Sequence, residues 1–269
     1  MEALAAPIAA VLLAAARAVH ARLWAFLPLD PPGPRKEQTV PLLVGGHVLN
    51  VYLLLFALAC HLPWRECTGF GLVLLVGWLD DRRKAAGGLH WSLKALGIAL
   101  ACALPEAGAE FTGTLAARIA CAFVLVNAIN FLDNTDGVAV AVGALPCLLV
   151  LEGRGWPGVL GWSYVGFLVH NWPRARLILG DAGALPLGFV LGRLALAGGG
   201  PPGRDVLALA WLPLLDFVQV VGMRLWLGYM PWIGDRRHLT HIARNLGLPR
   251  PLVAPLFAAL VCTGYWMAD

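Results

Sequence analysis

Residues 114–139 read TLAARIACAFVLVNAINFLDNTDGVA. The stretch from 114 to 132 carries a single charge, Arg118, and is close to the ~20 residues that cross a ~30 Å hydrocarbon core. It then breaks into polar chemistry, with Asn127, Asn130, Asp133, Asn134 and Asp136 inside ten positions. Composition extends the pattern to the whole chain. Charged residues are 13% of the 269, against about 25% in ordinary soluble domains, while 59% are hydrophobic and mean hydropathy is +0.73. Apolar runs with short polar or Gly/Pro-rich breaks leave no segment long enough for a soluble domain. The expectation is an all-α, polytopic transmembrane bundle forming one integral-membrane domain over residues 1–269.

Candidate spans fall near residues 3–20, 40–60, 67–79, 92–105, 114–132, 137–151, 156–171, 184–198, 205–229 and 251–268, about ten in all. The first begins Met-Glu without the basic region of a secretory signal, and is expected to be retained. Alternating the spans puts Arg35, Lys36, Arg82, Arg83, Lys84, Lys94, Arg174, Arg176, Arg236, Arg237, Arg244 and Arg250 on one side and Arg65, Arg154 and Arg204 on the other. Short cytoplasmic loops collect Lys and Arg, so the first side is expected to be cytoplasmic, with both termini outside. Six cysteines lie in or beside apolar runs without C-x-x-C spacing, and read as small buried hydrophobes.

The polar clusters PGPRKEQ, LDDRRK, NFLDNTDG, NWPRARLILGD and GDRRHLTH all fall on the expected cytoplasmic side. Asn127, Asn130 and Asn134 share one stripe if the helix continues, and Asp133 and Asp136 close the same turn. Asp80 and Asp81 follow one apolar run and Asp181 another. Carboxylates and amide oxygens without Cys suit a hard cation such as Mg²⁺, with Mn²⁺ as a substitute, and the interleaved Lys and Arg suit an anionic substrate. Metal-assisted phosphoryl transfer at a membrane surface is the chemistry this favours. Other readings stay open. Asp80 and Asp81 with Arg82, Arg83 and Lys84 could be a self-neutralising loop, and Asn127 and Asn130 interhelical hydrogen-bond glue. His238 and His241 could touch lipid headgroups, Asp216 and Arg224 could be a structural pair, and Gly45-Gly46 reads as close helix packing.

Taken in order, these motifs resemble the polyprenyl-phosphate N-acetylhexosamine-1-phosphate transferases, of glycosyltransferase family 4 type. PGPRKEQTVPLLVGG looks like the family's first cytoplasmic loop, GWLDD its paired aspartates and NAINFLDNTDGVA its N-x-x-N-x-x-D-x-x-D-G motif. NWPRARLILGDAGALPLG and GDRRHLTHIARNLG look like its GD-containing motif and histidine loop. The resemblance implies transfer of a sugar-1-phosphate from a UDP-sugar to a polyprenyl phosphate such as undecaprenyl phosphate, with release of UMP, in cell-envelope glycan synthesis at the bacterial inner membrane.

The resemblance also implies roles. Asp181 would be the magnesium aspartate, joined by Asn130, and Asp80 and Asp81 would stand near the lipid phosphate and metal. Lys94 would contact phosphate, Asn171 and Asp136 would lie at the uridine pocket, and Lys36, His238 and His241 would face the sugar nucleotide. Asn127 and Asp133 are included among the substrate-binding candidates. Three positions depart from the family pattern: Asn134 for Gly, Ala184 for Ser and Thr240 for a further His. The absence of a run of three histidines favours a GlcNAc-type donor over a muramoyl-pentapeptide. Expected partners are the UDP-sugar, the polyprenyl lipid and the membrane, with no nucleic acid; a homodimer is an open expectation. A polytopic ion or proton transporter and a non-catalytic family member that binds without turnover are the alternatives.

Overall fold

A computed structural model describes residues 2–23, 29–30, 42–149, 155–234 and 236–268. Lys36 lies outside the described residues. Eleven helices account for most of them: α1 (Glu2–Leu23), α2 (Gly46–Ala59), α3 (Trp64–Arg83), α4 (Trp91–Ala103), α5 (Gly113–Leu132), α6 (Val138–Leu149), α7 (Gly155–Asn171), α8 (Asp181–Ala195), α9 (Arg204–Trp226), α10 (Leu239–Asn245) and α11 (Arg250–Ala268). Each of the ten expected spans corresponds to one of the longer helices. Two of them, Gly113–Leu132 and Arg204–Trp226, are long and apolar enough by themselves to cross a membrane.

The all-α expectation needs one correction. Three short strands, β1 (Leu29–Asp30), β2 (Leu42–Val44) and β3 (Leu177–Ile178), form a sheet in the order β1-β2-β3. β2 runs antiparallel to β1, and parallel to β3 with Leu43 opposite Leu177 and Val44 opposite Ile178. The apolar run LLV was read as the start of a span. Periodicity cannot separate so short a buried strand from helix, and its partner lies more than a hundred residues away.

α8 is the centre of the bundle. It packs against α2, α3, α5, α6 and α9, and nearly every residue from Asp181 to Gly192 is buried. Its neighbours approach backbone to backbone because small residues meet there. A Cβ on Gly188 would stand 2.7 Å from Val126 Cα of α5, and one on Gly46 would stand 2.2 Å from the Leu179 carbonyl oxygen. Gly45-Gly46 is thus a close-packing element. Behind the N-terminus of α8, buried Asn50 donates to the Gly46 and Ala182 carbonyls at 3.0 Å. Tyr164 donates to Asn50 Oδ1 at 3.0 Å and Gly183 O at 2.9 Å. This brace ties α2, α7 and α8 together.

The opposite end of α3 and α8 holds a second polar network. Arg193 of α8 pairs with Glu66 of α3 at 2.8 Å and with Glu106 at 2.7 Å, and Arg118 of α5 pairs with Glu106 at 2.8 Å. Arg118 also donates to the carbonyls of Leu196 and Gly200, closing the C-terminal end of α8. The outward helix faces carry large apolar side chains, among them Leu4, Val11, Leu55, Leu207, Val218 and Trp266. Such faces suit hydrocarbon as solvent.

Candidate active site

The N-terminus of α8 is completed by another helix. Its N-cap, Gly180, has no side chain to receive the free N–H groups of the first turn, and buried donors of that kind require an acceptor. Asp81, from the last turn of α3, supplies it. Its Oδ1 accepts from Asp181 N–H at 3.1 Å and its Oδ2 from Ala182 N–H at 2.9 Å. A carboxylate there also complements the positive end of the helix. Glycine is needed at two positions for this contact. Gly180 has φ +68°, and a Cβ on it would lie 2.5 Å from Val44 Cγ1 and 2.8 Å from Asp81 Oδ2. A Cβ on Gly77, one turn before Asp81, would lie 2.5 Å from the Asp181 carbonyl oxygen.

The same junction gathers the other charges. Asp80 Oδ1 accepts from Leu89 N–H at 2.8 Å, which folds the segment after α3 back over the site. Lys94, from the first turn of α4, pairs with Asp181 Oδ2 and lies 3.6 Å from Asp80 Oδ2. Lys84 lies 3.1 Å from Asp81 Oδ1 and 3.7 Å from Asp181 Oδ1. Asn130, in the last turn of α5, hydrogen-bonds to Asp181 through its side chain. Asp133 adds a fourth carboxylate close enough to feel Lys84, Asp181 and Asp81, with the Gly180 N–H toward it. The self-neutralising loop is thereby replaced by a helix end: Asp80 and Asp81 are buried in α3, Arg82 lies over Trp78 at 5.0 Å, and Lys84 joins the acids.

Four carboxylates against two ammonium groups leave the junction short of positive charge, and proton affinities respond. These acids lie past the ends of the apolar runs. Burial pushes Asp81 up to about 6, with Asp181 adding to the rise while Lys84 and the two N–H bonds oppose it. Burial and Asp181 also raise Asp80, and burial raises Asp133 well above the usual carboxylate range. Asp181 goes the other way. Burial would raise it, but Lys94, Lys84 and the Asn130 hydrogen bond outweigh that and hold it well below the ordinary value. Asp181 is therefore the one carboxylate of the four whose ionised form the site favours.

The remaining candidates form two further groups on adjoining elements. Asp136 Oδ2 accepts from Ala175 N–H at 2.8 Å and pairs with Arg250 at 2.7 Å. Asn171, buried at the end of α7, accepts from Gly137 N–H at 2.8 Å and donates to Leu177 O at 2.9 Å. Both residues hold the 133–137 turn against the 172–177 segment. Asn127 lies one turn up α5 from Asn130 and donates back to Phe123 O at 2.8 Å. His238 and His241 begin α10, with ring centroids 6.1 Å apart. Burial, then His238, Arg236 and Arg244, hold His241 below its ordinary value.

Two of the departures from the family pattern meet in space. Asn134 Oδ1 accepts from the Thr240 hydroxyl and from the Thr135 hydroxyl, so the 133–137 turn is fastened to α10. Ala184, the third, is fully buried in α8. Residues that local reading passed over include Lys84, treated there only as a loop charge, and Asn50, whose polarity inside an apolar run was a usable signal. Asp216 is placed differently from the sequence reading. Among the described residues, both its oxygens engage the start of α10, at His238 and Leu239.

This is a helical bundle of membrane type with an acid and lysine cluster at one end, the arrangement expected of an enzyme that handles phosphate groups. Comparison with known proteins agrees: residues 67–199 match the model of "Glycosyl transferase family 4". A phospho-N-acetylmuramoyl-pentapeptide-transferase of Synechococcus sp. (strain JA-3-3Ab) is 35% identical over 191 residues, covering 59% of this chain and 53% of the relative. A decaprenyl-phosphate N-acetylglucosaminephosphotransferase of Mycolicibacterium smegmatis is 27% identical over 224 residues, covering 66% of this chain and 55% of the relative. The 67–199 segment belongs to glycosyl transferase family 4, and the chain is similar to the polyprenyl-phosphate N-acetylhexosamine-1-phosphate transferases. It spans about half the length of the curated relatives it matches. Relatives named for both sugars occur among them, so the preference for a GlcNAc-type donor is not decided by similarity.

Proposed function

We propose that the protein is an integral-membrane phosphoglycosyl transferase that moves a sugar-1-phosphate, of N-acetylhexosamine type, from a UDP-sugar to a polyprenyl phosphate and releases UMP. The observation that carries this reading is the junction of Asp80, Asp81 and Asp181 with Lys84, Lys94 and Asn130 at the meeting of α3, α4, α5 and α8. Its setting is a ten-span bundle with the junction on the cytoplasmic face, supported by the excess of Lys and Arg in the loops at that end.

In the reaction a phosphate oxygen of the lipid attacks the sugar-linked phosphorus of the donor. A new P–O bond forms, and the bond from that phosphorus to the UMP oxygen breaks. The acceptor has a second pKa near 6, so at pH 7 it is mostly dianionic and needs no strong base. Lys94 and Lys84 would leave Asp181 and Asp80 to meet the incoming phosphate charges. Asp81, held by two backbone N–H groups, fixes the geometry of Asp181. Asp80 keeps Oδ1 on Leu89 N–H, and its Oδ2 is the oxygen that Lys94 would vacate. Direct attack is favoured over an aspartyl-phosphate intermediate.

An oxygen-only donor set fits Mg²⁺, which takes one or two protein carboxylates and otherwise water and phosphate. Among the described residues no group of three His, Cys, Asp or Glu is placed to hold a metal, so water and substrate phosphate would have to complete the shell. Asp181 and the Asn130 amide oxygen would hold the ion. When bound, it would neutralise the donor pyrophosphate and stabilise the leaving group.

The test is UMP release by purified protein with Mg²⁺ and undecaprenyl phosphate across UDP-GlcNAc, UDP-GalNAc and UDP-MurNAc-pentapeptide. Release requiring both lipid and metal establishes the reaction and names the donor. No release from folded protein with any donor sinks the reading in favour of a binding-only homologue or a transporter.

A further inference from the structure

Asp216 is fully buried in the inner half of α9, and both of its oxygens face the start of α10. Oδ1 accepts from Leu239 N–H at 2.6 Å, and Oδ2 lies 2.8 Å from His238 Nδ1. An ionised carboxylate only accepts, so the hydrogen between Oδ2 and the ring belongs to Nδ1. His238 is itself buried and stands edge-on to Phe131, with ring centroids 5.7 Å apart. Phe131 follows Asn130, and Arg224 lies 4.9 Å over its ring. One residue beyond Leu239, Thr240 is fastened to Asn134. The ring of His238 is therefore held from three directions beside the end of α5. Among the described residues its ring makes one hydrogen bond, through Nδ1, and Nε2 is left without a partner.

We propose that Asp216 is a positioning residue, which holds His238 with its proton on Nδ1 and presents Nε2 to the sugar-nucleotide donor. With the Nδ1 hydrogen engaged by Asp216, Nε2 is the ring atom left to meet a hydroxyl or amide group of the sugar. This rests on the transferase reading for its ligand, but the ring state is a property of the chain alone.

Two measurements test it. In full-length protein labelled with ¹⁵N-histidine, the His238 signals, assigned by their loss in His238→Gln, are expected to show a protonated Nδ1. A Nδ1 without a proton in the wild type overturns the proposal whatever the variants do. Asp216→Asn can keep the Leu239 N–H on its carbonyl oxygen while turning its NH₂ toward Nδ1. The ring should then carry its proton on Nε2.

In kinetics, Asp216→Asn should raise KM for the UDP-sugar ~10-fold, the upper scale of losing one ordinary hydrogen bond, with a smaller change in kcat. In a His238→Gln background the same change should alter KM less than twofold. Equal costs in both backgrounds would show that Asp216 merely anchors α10, and would overturn the proposal. If the wild type turns over no donor, the transferase reading fails and the NMR result alone decides this one.

Discussion

The two ends of α3 and α8 both bury charged side chains, and they do so differently. At one end Glu66 and Glu106 meet Arg118 and Arg193, two acids against two guanidinium groups. Burial would raise Glu106, but its two arginines outweigh that and hold its carboxyl below the ordinary range. At the other end Asp80, Asp81, Asp133 and Asp181 share two lysines, and three of the four carboxyls are pushed up. The first network balances its charge and joins three helices. The second is stabilised by its backbone donors and keeps a surplus of negative charge, which an incoming cation would relieve. A closed network serves the fold; an unbalanced one is available for chemistry.

The sharpest break between the two ends should come from Asp181→Asn. Removing the one carboxylate whose ionised form the site favours should lower UMP release on the order of 10³-fold in protein that remains folded, the scale of losing a main electrostatic contact to a transition state. Unimpaired turnover would show that the acid and lysine end is structural after all. Glu106→Gln should do the reverse. It leaves Arg118 and Arg193 without a shared counter-charge and should destabilise the fold by about 1–3 kcal/mol, read as a lower unfolding midpoint, while folded protein keeps its KM and metal dependence.

A smaller effect is expected from Asn130→Ala, which should shift the magnesium titration of turnover ~10-fold to higher concentration, as loss of one ligand or its support does. An unchanged titration removes Asn130 from the metal. The smallest effect is on stability against pH. Asp81 has a folded value near 6, above the ~3.9 of an unfolded aspartate. The folded state therefore binds more protons in that interval, and stability should rise as pH falls from about 7 toward 5. Asp181 is depressed, so its own contribution is lost only at much lower pH and does not cancel this trend. Thermal unfolding without added metal reads the slope, and saturating Mg²⁺ should flatten it.

The opening stretch shows how far local reading went. The apolar run from 114 and its polar end correspond to α5 and the turn that follows, because helix periodicity and insertion cost are properties of a segment. Asp80, Asp81, Asp181, Lys94 and Asn130 were legible as chemistry for a related reason. Charged groups are expensive beside hydrocarbon, so their mere presence at the ends of apolar runs marks a purpose.

What these groups do to one another was decided only in three dimensions. That Asp81 caps α8, that Lys84 balances Asp181, that Asn134 accepts from Thr240 and that Asp216 orients His238 are contacts across 22 to 106 positions. No local spacing records them. The strand LLV was misassigned for the same reason, since its hydrogen-bond partner at Leu177 is a product of the fold. Segment chemistry determined which residues this protein keeps polar inside a membrane-type chain. Helix packing, with glycines at 77 and 180 letting backbones touch, decided which of them share a proton, a charge or a ligand.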